Sequence, residues 1–325
     1  MTDEQLHHIL HRFRFQKPEI TFLRHNENRT YKVSEADGST YVLRVHQPFK
    51  ASMTGLQHTY EGLLGELLML EALANESSLL VQSPLRNQDG ELITVIEHEG
   101  QRLNCSVLTW LEGRDLQKED LQNPESVKQL GSHIAKLHEF YRRYPLDRVK
   151  NRPEQGIAYN DGLIQTIHKG LELGLFASSD VAIIEKCIHL INDKLKQIGT
   201  DTDRWGLIHG DLGFGNMIMS PVGRLSFIDF GFFGPGYDLT DIAMGAMMVP
   251  SEHRKIFLEG YYGTMNIAAE ELVLIEGMML ISIIGYYAFQ MGNESVHNWM
   301  REKMPKLCAN HCLPFLAGER IFYQV

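Results

Sequence analysis

The sequence predicts an α+β protein of two lobes: a small antiparallel β-sheet lobe with one helix, and a larger, mainly helical lobe that carries a β-hairpin. Three observations predict this class. The first third has the alternation of strands, the remainder has mainly helical periodicity, and two short apolar runs flank a turn at 220–223. We expect the N-terminal lobe to cover residues 1–108 and the C-terminal lobe residues 109–325.

The N-terminal lobe begins with a predicted hairpin. Thr30–Ser34 and Thr40–Val45 are rich in β-forming residues, and the Asp37-Gly38 pair between them is typical of a hairpin turn. Gly62–Ala74 has leucines and a methionine at helical spacing, which predicts a helix. Further strands are expected at Glu91–Glu97 and Ser106–Trp110, followed by a hinge at 111–116.

The C-terminal lobe contains three long helical patterns. Ser126–Tyr144 and Val181–Ile198 are amphipathic, and almost everything after Asp238 has helical periodicity. The most apolar stretch, Val273–Phe289, is interrupted by Glu276 and is shorter than the ~20 residues that span a bilayer. We therefore expect a buried helix whose glutamate is paired internally or faces a pocket.

Composition excludes several classes of function. The net charge of −10 argues against a bulk attraction to nucleic acid or to an anionic membrane. Four cysteines in 325 residues do not suggest a disulfide framework, and the N-terminal stretch has no signal-peptide core, so we expect a cytoplasmic protein. Cys308, His311 and Cys312 lack further ligands at zinc-finger spacing, which favours thiols over a metal site and leaves their role open.

The predicted hairpin after residue 210 collects side chains suited to a cation. If 220–223 form a four-residue loop, Asn216 pairs with Phe227, and Asp229 then points to the same face as Asn216, ~7–8 Å away. Asp211 enters the hairpin five residues before Asn216. A divalent cation bound by oxygen ligands would relieve the repulsion between the carboxylates. Such an arrangement suits phosphoryl transfer, in which a free carboxylate orients an acceptor hydroxyl.

Several segments resemble the aminoglycoside phosphotransferase and choline kinase family, whose small-molecule kinases have a protein-kinase-like fold. His209–Asn216 (HGDLGFGN) resembles the catalytic loop, and Ile228–Gly231 (IDFG) resembles the metal-binding motif. Three further segments and the hinge occur in the expected order, namely Glu27–Val33, Tyr41–His46, Gly65–Leu70 and Leu108–Gly113. The resemblance covers most of the chain and implies a bilobal kinase fold.

The resemblance implies a role for each catalytic position. Asp211 would be the base that orients the acceptor hydroxyl, and Asn216 and Asp229 would hold Mg²⁺. His209 would brace the catalytic loop, although a buried core histidine is an equally good interpretation. Asp238 is interpreted as the N-cap of a helix, with an acid in its first turn.

The resemblance also implies a nucleotide site in the N-terminal lobe. Glu66 would pair with residue 44, unless it lies on a solvated helix face. Asn28 and Arg29 are candidates to cover the phosphates. Position 44 is Arg44, where the family pattern has lysine; arginine keeps the charge but changes the geometry. Backbone groups of Thr109, Trp110 and Leu111 would bind the adenine edge.

We therefore expect an enzyme, an ATP- and Mg²⁺-dependent kinase that phosphorylates a hydroxyl of a small molecule. The family that the chain resembles includes kinases of aminoglycosides, choline, ethanolamine and homoserine, and many of these acceptors are cations. Arg44 and the absence of a glycine-rich covering loop motivate an alternative, a catalytically silent nucleotide-binding homologue. Gly210, in place of arginine before the aspartate, argues against a protein kinase. The acceptor, the preference for ATP or GTP and the oligomeric state are left open.

Overall fold

The structure is a computed structural model of the chain, and it describes residues 1–25, 28–47 and 55–325. Glu27, the first residue of the Glu27–Val33 segment named above, lies outside these residues, as does Asn26. The helices and strands are α1 (Asp3–Arg12), β1 (Glu19–His25), β2 (Arg29–Ser34), β3 (Thr40–His46), α2 (Tyr60–Glu76), β4 (Thr94–His98), β5 (Gln101–Thr109), β6 (Arg114–Asp115), α3 (Pro124–Arg143), α4 (Ile157–Glu172), α5 (Ser178–Ile198), β7 (Trp205–Ile208), β8 (Met217–Met219), β9 (Leu225–Phe227), β10 (Gly234–Tyr237), α6 (Leu239–Met248), α7 (Arg254–Tyr262), α8 (Ala269–Gln290), α9 (His297–Leu307) and α10 (Leu313–Leu316).

The chain forms two compact units. Unit 1 comprises Met1–Asp115, Tyr144–Pro153 and Asn216–Phe232, and unit 2 comprises the rest. Contacts group β8 and β9 with unit 1, because β6 pairs with β8 and Val81 bridges to Phe227. The predicted lobe boundary between residues 108 and 109 stays a prediction, since unit 1 takes segments from both sides of it.

Unit 1 is built on a five-stranded antiparallel sheet with the order β1-β2-β3-β5-β4. Alternation along β3 gives its two faces different partners. Leu43 and Val45 join the apolar side chains of α1 in one core, whereas Arg44 contacts α2 through Glu66. The mixed α+β class is confirmed, but the sequence predicted one helix here and α1 was missed. That helix forms because Leu6, Ile9, Leu10 and Phe13 recur at helical spacing and are buried.

The hairpin β8–β9 differs from its prediction by one residue. Met217 pairs with Phe227 and Met219 with Leu225, so the loop has five residues, 220–224. The hydroxyl of Ser220 accepts a hydrogen bond from the Arg224 N–H at 2.9 Å, which stabilises the longer loop. The predicted pairing of Asn216 with Phe227 is therefore wrong.

Unit 2 is mainly helical and contains one small sheet, in which β7 and β10 pair antiparallel. Its most apolar helix, α8, packs against α4, α5 and α6. Among the described residues α8 is the one helix long and apolar enough to cross a membrane by length and composition, and half of its most apolar window is buried inside the protein. Glu276 on α8 accepts the N–H groups of Ile321 and Phe322 at 3.0 and 2.9 Å, and so is paired internally.

Candidate active site

The predicted catalytic loop follows β7 in unit 2, and hydrogen bonds donated by its own backbone hold it in place. The N–H groups of His209 and Gly210 donate to the two carboxylate oxygens of Asp241, at 2.7 and 2.9 Å. Gly210 has a φ of +75°, a left-handed conformation that glycine adopts without strain. The glycine before Asp211 therefore lets consecutive amides converge on one acid.

Asp241 is fully buried and has a third donor, the Nε2 of His138 at 3.0 Å, while Nδ1 of that ring bonds the Tyr261 hydroxyl. Burial by itself would raise the pKa of the Asp241 carboxyl. The hydrogen bond and charge of His138, the charge of His209 and the His209 N–H together outweigh burial, and the pKa lies below its ordinary value. The loop is thus anchored on a carboxylate that stays ionised.

The other side of Gly210 is also fixed. Its carbonyl accepts a hydrogen bond from Nε2 of Gln155 at 2.9 Å, and the Gln155 N–H bonds the carbonyl of Pro235 at the start of β10.

Burial and then the negative charge of Asp211 raise the pKa of Tyr159. A protonated tyrosine hydroxyl and the Asp211 carboxylate therefore influence each other within unit 2.

The interpretation of Asp238 as an N-cap is wrong in its detail. Asp238 precedes α6 but makes no capping hydrogen bond with its side chain. Its carboxylate instead pairs with Arg204 at 3.2 Å, and burial raises its pKa despite the nearby His138 and Arg204. The acid in the first turn, Asp241, serves the catalytic loop instead of the helix end.

Unit 1 contains a buried cluster of two arginines around one glutamate, which we call the arginine cluster: Arg44, Glu66 and Arg152. Nη1 of Arg44 donates to Glu66 at 2.8 Å, and Nη1 of Arg152 lies 3.7 Å from the other carboxylate oxygen. The side chains are at most 9% exposed. Glu66 is therefore an ion-pair partner of residue 44 and does not lie on a solvated helix face.

The arginine cluster has hydrogen-bond donors to spare. Nε and Nη2 of Arg44 are buried and have no hydrogen-bond partner within the described residues. Burial, and then the charges of Arg44, His58 and Arg152, hold the pKa of His46 well below its ordinary value. A buried region rich in cationic donors is suited to an anion, because unpaired buried donors are costly.

Asn216 and Asp229 lie next to the two ends of the hairpin that join it to the rest of the chain. The N–H of Ile228 donates to the Asn216 carbonyl at 3.0 Å, and Asp229 has a φ of +61°, uncommon for a residue other than glycine. Arg24 lies 3.3 Å from the Asp229 carboxylate, and both side chains are partly exposed. An amide oxygen and a carboxylate are hard ligands that fit Mg²⁺. Among described residues no cluster of three His, Cys, Asp or Glu side chains could hold a metal.

The predicted adenine-binding segment follows β5 and is partly engaged already. The Thr109 N–H donates to the Ser83 carbonyl, and the Trp110 N–H donates to the Thr40 carbonyl. Within the described residues, Leu111 makes no such backbone bond. Near the end of the covering loop, Oδ1 of Asn28 is buried and has no hydrogen-bond partner in the described chain.

The structure thus joins some predicted residues and separates others. It brings Arg44 and Glu66 into contact, and it places Asn216 and Asp229 in unit 1 with them, whereas His209 and Asp211 belong to unit 2. The sequence analysis missed the contacts of Gln155, Arg152, His138 and Arg24. Only the Gly62–Gly65 spacing on a helix hinted that another segment approaches closely there. The cysteines at 308 and 312 are buried and free.

Residues 19–266 match the model of the phosphotransferase enzyme family. The chain belongs to that family. The match covers most of the chain and confirms the predicted resemblance. Amicoumacin kinase of Bacillus subtilis is 22% identical over 235 residues, which are 72% of this chain and 64% of that kinase. An uncharacterised Deinococcus radiodurans protein is 26% identical over 70% of this chain and 61% of its own length. The chain thus spans less than two thirds of each of these relatives.

Solved structures of kinases share the fold. A microcompartment-associated aminopropanol kinase has a TM-score of 0.74 at 18% identity and 98% coverage of both chains. An amicoumacin kinase in complex with AMP-PNP, Ca²⁺ and Ami has a TM-score of 0.71 at 19% identity and 94% coverage of both. A spectinomycin phosphotransferase with ADP and spectinomycin has a TM-score of 0.69 at 13% identity, covering 97% of this chain and 99% of that one. These similarities confirm the predicted protein-kinase-like fold.

Proposed function

We propose that this protein transfers the γ-phosphoryl group of ATP to a hydroxyl of a small molecule, with Mg²⁺ as the metal. The observation that carries the proposal is the buried Arg44, which pairs with Glu66 and keeps two further nitrogens without a hydrogen-bond partner in the part of the chain that the structure describes. A guanidinium in that state is prepared for a phosphate, because charge-assisted bonds to phosphate are among the strongest that arginine makes. The AMP-PNP, Ca²⁺ and ADP bound in similar kinases support the choice of nucleotide and cation.

Each predicted residue receives a role in this proposal. Arg44, oriented by Glu66, binds the phosphates, and the backbone groups of Leu111, which make no backbone bond within the described residues, meet the adenine edge. Asn216 and Asp229 would hold Mg²⁺, which neutralises charge on the phosphate oxygens when it is bound. Asn28, which directly precedes β2, covers the phosphates.

Asp211 acts on the acceptor. Its carboxylate accepts the proton of the acceptor hydroxyl while the hydroxyl oxygen forms a bond to the γ-phosphorus and the bond to ADP breaks. The Asp241 anchor fixes the backbone before Asp211, and His209 acts as a buried support of the loop and not in proton transfer. The aminopropanol, amicoumacin, spectinomycin and ethanolamine named for similar proteins define a first panel of acceptors. A cytoplasmic location remains a prediction from the sequence.

A panel assay with the full chain tests the proposal. ADP release is measured with Mg²⁺-ATP and each acceptor, for the parent protein, Asp211→Asn and the control Asp161→Asn. We expect at least one acceptor to stimulate ADP release, and Asp211→Asn to lose about 10²- to 10⁴-fold of that rate while its affinity for AMP-PNP is unchanged. Asp161 is an exposed acid of unit 2 that bonds Asn192, and its variant should keep the parental rate.

The alternative, a silent nucleotide-binding homologue, predicts a different result. AMP-PNP would then bind the parent protein, but no acceptor would stimulate ADP release and Asp211→Asn would behave like the parent. Absence of AMP-PNP binding would reject both functions.

A further inference from the structure

Arg152 contacts two parts of unit 1 that are far apart in the sequence, the helix α2 and residues 230–231. Its Nη1 donates to the carbonyl of Gly62 on α2 at 3.1 Å, and its Nη2 donates to the carbonyls of Phe230 and Gly231, both at 2.6 Å. Nη1 also lies 3.7 Å from the carboxylate of Glu66. The Arg152 side chain is fully buried. One guanidinium thus joins α2 to the two residues that directly follow Asp229.

The surface of α2 is shaped to admit the Arg152 segment. A Cβ on Gly62 would collide with the Leu56 carbonyl and would lie only 2.8 Å from the carbonyl of Asn151. A Cβ on Gly65 would stay in ordinary contact, 3.6 Å from the Lys150 carbonyl and 3.8 Å from Cδ of Arg152. Asn151 has a φ of +56°, so the chain adopts an uncommon conformation where it meets the helix. These features show a specific close approach.

The partners of Arg152 distinguish it from a buried arginine that only donates hydrogen bonds to backbone carbonyls at chain ends. Arg254 in unit 2 is also buried and also donates to three carbonyls, those of Ala246, Phe322 and Val325. Those carbonyls end a helix and the C-terminal segment. Two of the carbonyls bound by Arg152 instead belong to the residues that directly follow a proposed metal ligand, Asp229, and its carboxylate neighbour is the partner of Arg44.

We propose that Arg152 is a positioning residue that couples metal binding at Asp229 to nucleotide binding at Arg44. It holds the Phe230–Gly231 backbone and the Glu66 carboxylate in one fixed arrangement, so Asp229 is placed correctly only while the arginine cluster is intact. Groups that orient metal ligands typically contribute 10- to 100-fold to metal affinity. The inference rests on the proposed function, because it assumes that Asp229 binds the cation of a metal–nucleotide complex.

The test measures how strongly Mg²⁺ improves nucleotide binding. The dissociation constant of AMP-PNP is determined by calorimetry on the full chain in EDTA and in saturating Mg²⁺, and the ratio of the two constants is the coupling. We expect Arg152→Lys to lower the coupling about 10- to 100-fold, because lysine cannot bond two carbonyls and a carboxylate in the fork geometry of arginine. Arg254→Lys, the matched buried control, should be less stable than the parent but have its coupling.

Two glycine variants decide the matter if Arg152→Lys does not fold. Gly62→Ala places a methyl group against the carbonyls of Leu56 and Asn151, so it displaces both the Leu56 turn and the Arg152 segment without changing any charge. It should also lower the coupling, whereas Gly65→Ala, whose methyl group fits in ordinary contact, should keep it. Parental coupling in a folded Arg152→Lys protein, or in Gly62→Ala if the former is unfolded, would overturn the inference. Equal losses in Arg152→Lys and Arg254→Lys would overturn it as well, since the effect would then be general destabilisation.

The parent protein separates this inference from the proposed function. If AMP-PNP does not bind the parent, or binds equally well with and without Mg²⁺, the metal-dependent function fails and the inference fails with it. If the parent shows the coupling and Arg152→Lys retains it, only the role of Arg152 is refuted.

Discussion

Each of the two units buries a charged cluster, and the two clusters differ in how completely they are bonded. In unit 2 the Asp241 carboxylate accepts hydrogen bonds from the His209 and Gly210 amides and from His138. In unit 1 Arg44 donates to Glu66 through one nitrogen, while its other two nitrogens have no partner among the described residues. We call the Asp241 cluster closed, because its carboxylate is fully hydrogen-bonded, and the arginine cluster open, because it has donors without partners among the described residues.

The difference teaches which cluster serves the fold and which serves a ligand. A buried polar group without a partner costs about 1–3 kcal/mol, so a protein keeps one only where a compensating interaction occurs. Both carboxylate oxygens of Asp241 accept hydrogen bonds, and the residue fixes the catalytic loop. In the proposed function an anion completes the arginine cluster, and we therefore expect this part of the molecule to respond to nucleotide.

The closed cluster should give the largest effect on stability. Asp241→Asn removes the charge that faces His138 and leaves two amide donors competing for one oxygen. We expect a loss of about 3–5 kcal/mol in the free energy of unfolding, as for other broken buried pairs. Urea unfolding in a Trp110→Phe background measures it for unit 2, because the remaining tryptophans, Trp205 and Trp299, both lie there.

The control for this prediction is Asp193→Asn, which removes an exposed acid of unit 2 that pairs with Lys196. Its free energy of unfolding should stay within about 0.5 kcal/mol of that of the parent. A similarly small change in Asp241→Asn would show that the loop is held by other contacts and that the two clusters do not differ in this way.

The open cluster should affect ligand binding more than folding. Arg44→Met removes the unbonded donors and leaves Glu66 with Arg152 as its cation. We expect the affinity for Mg²⁺-AMP-PNP to fall about 10- to 150-fold, the equivalent of 1.5–3 kcal/mol for bonds to a charged group. Calorimetry on the full chain measures the affinity.

Arg86→Met is the matched control, because Arg86 pairs with Glu71 on the outer side of the same helix and is partly exposed. It should bind the nucleotide like the parent. Unchanged binding by a folded Arg44→Met protein would mean that the spare donors do not meet phosphate, and the contrast between open and closed clusters would lose its functional meaning.

The sequence predicted the local elements better than the contacts between them. The helices α2, α3 and α5 were found within a few residues, because an apolar stripe at helical spacing is a local property. The hairpin register was missed by one residue, since a Ser-Pro-Val-Gly stretch does not reveal whether the following Arg224 joins the loop. Periodicity fixes neither turn length nor register.

The candidate site shows the same limit. Arg44 and Glu66 were paired through the family resemblance, and the structure shows that pair at 2.8 Å. Arg152 was missed because its partners lie up to 90 positions away in the sequence, and no local pattern distinguishes a buried arginine from a solvated one. Asp241 was taken for a helix-end acid because a carboxylate in a first turn usually has that role.

The smallest expected effect comes from His46, two positions after Arg44 on β3. Burial and the charges of Arg44, His58 and Arg152 lower its pKa far below the ordinary value, so the folded protein keeps the ring neutral. Below about pH 6.5 the unfolded chain takes up a proton that the folded chain does not, and stability falls by up to about 1.4 kcal/mol per pH unit. His46→Gln should therefore flatten the decline in the unfolding free energy between pH 6.5 and 5, measured by urea titrations at each pH.

His133→Gln is the comparison in unit 2, where burial also lowers the pKa but no arginine contributes, and its effect should be smaller. A slope in His46→Gln equal to that of the parent would mean that burial and the neighbouring charges together do not keep this ring neutral in the folded protein.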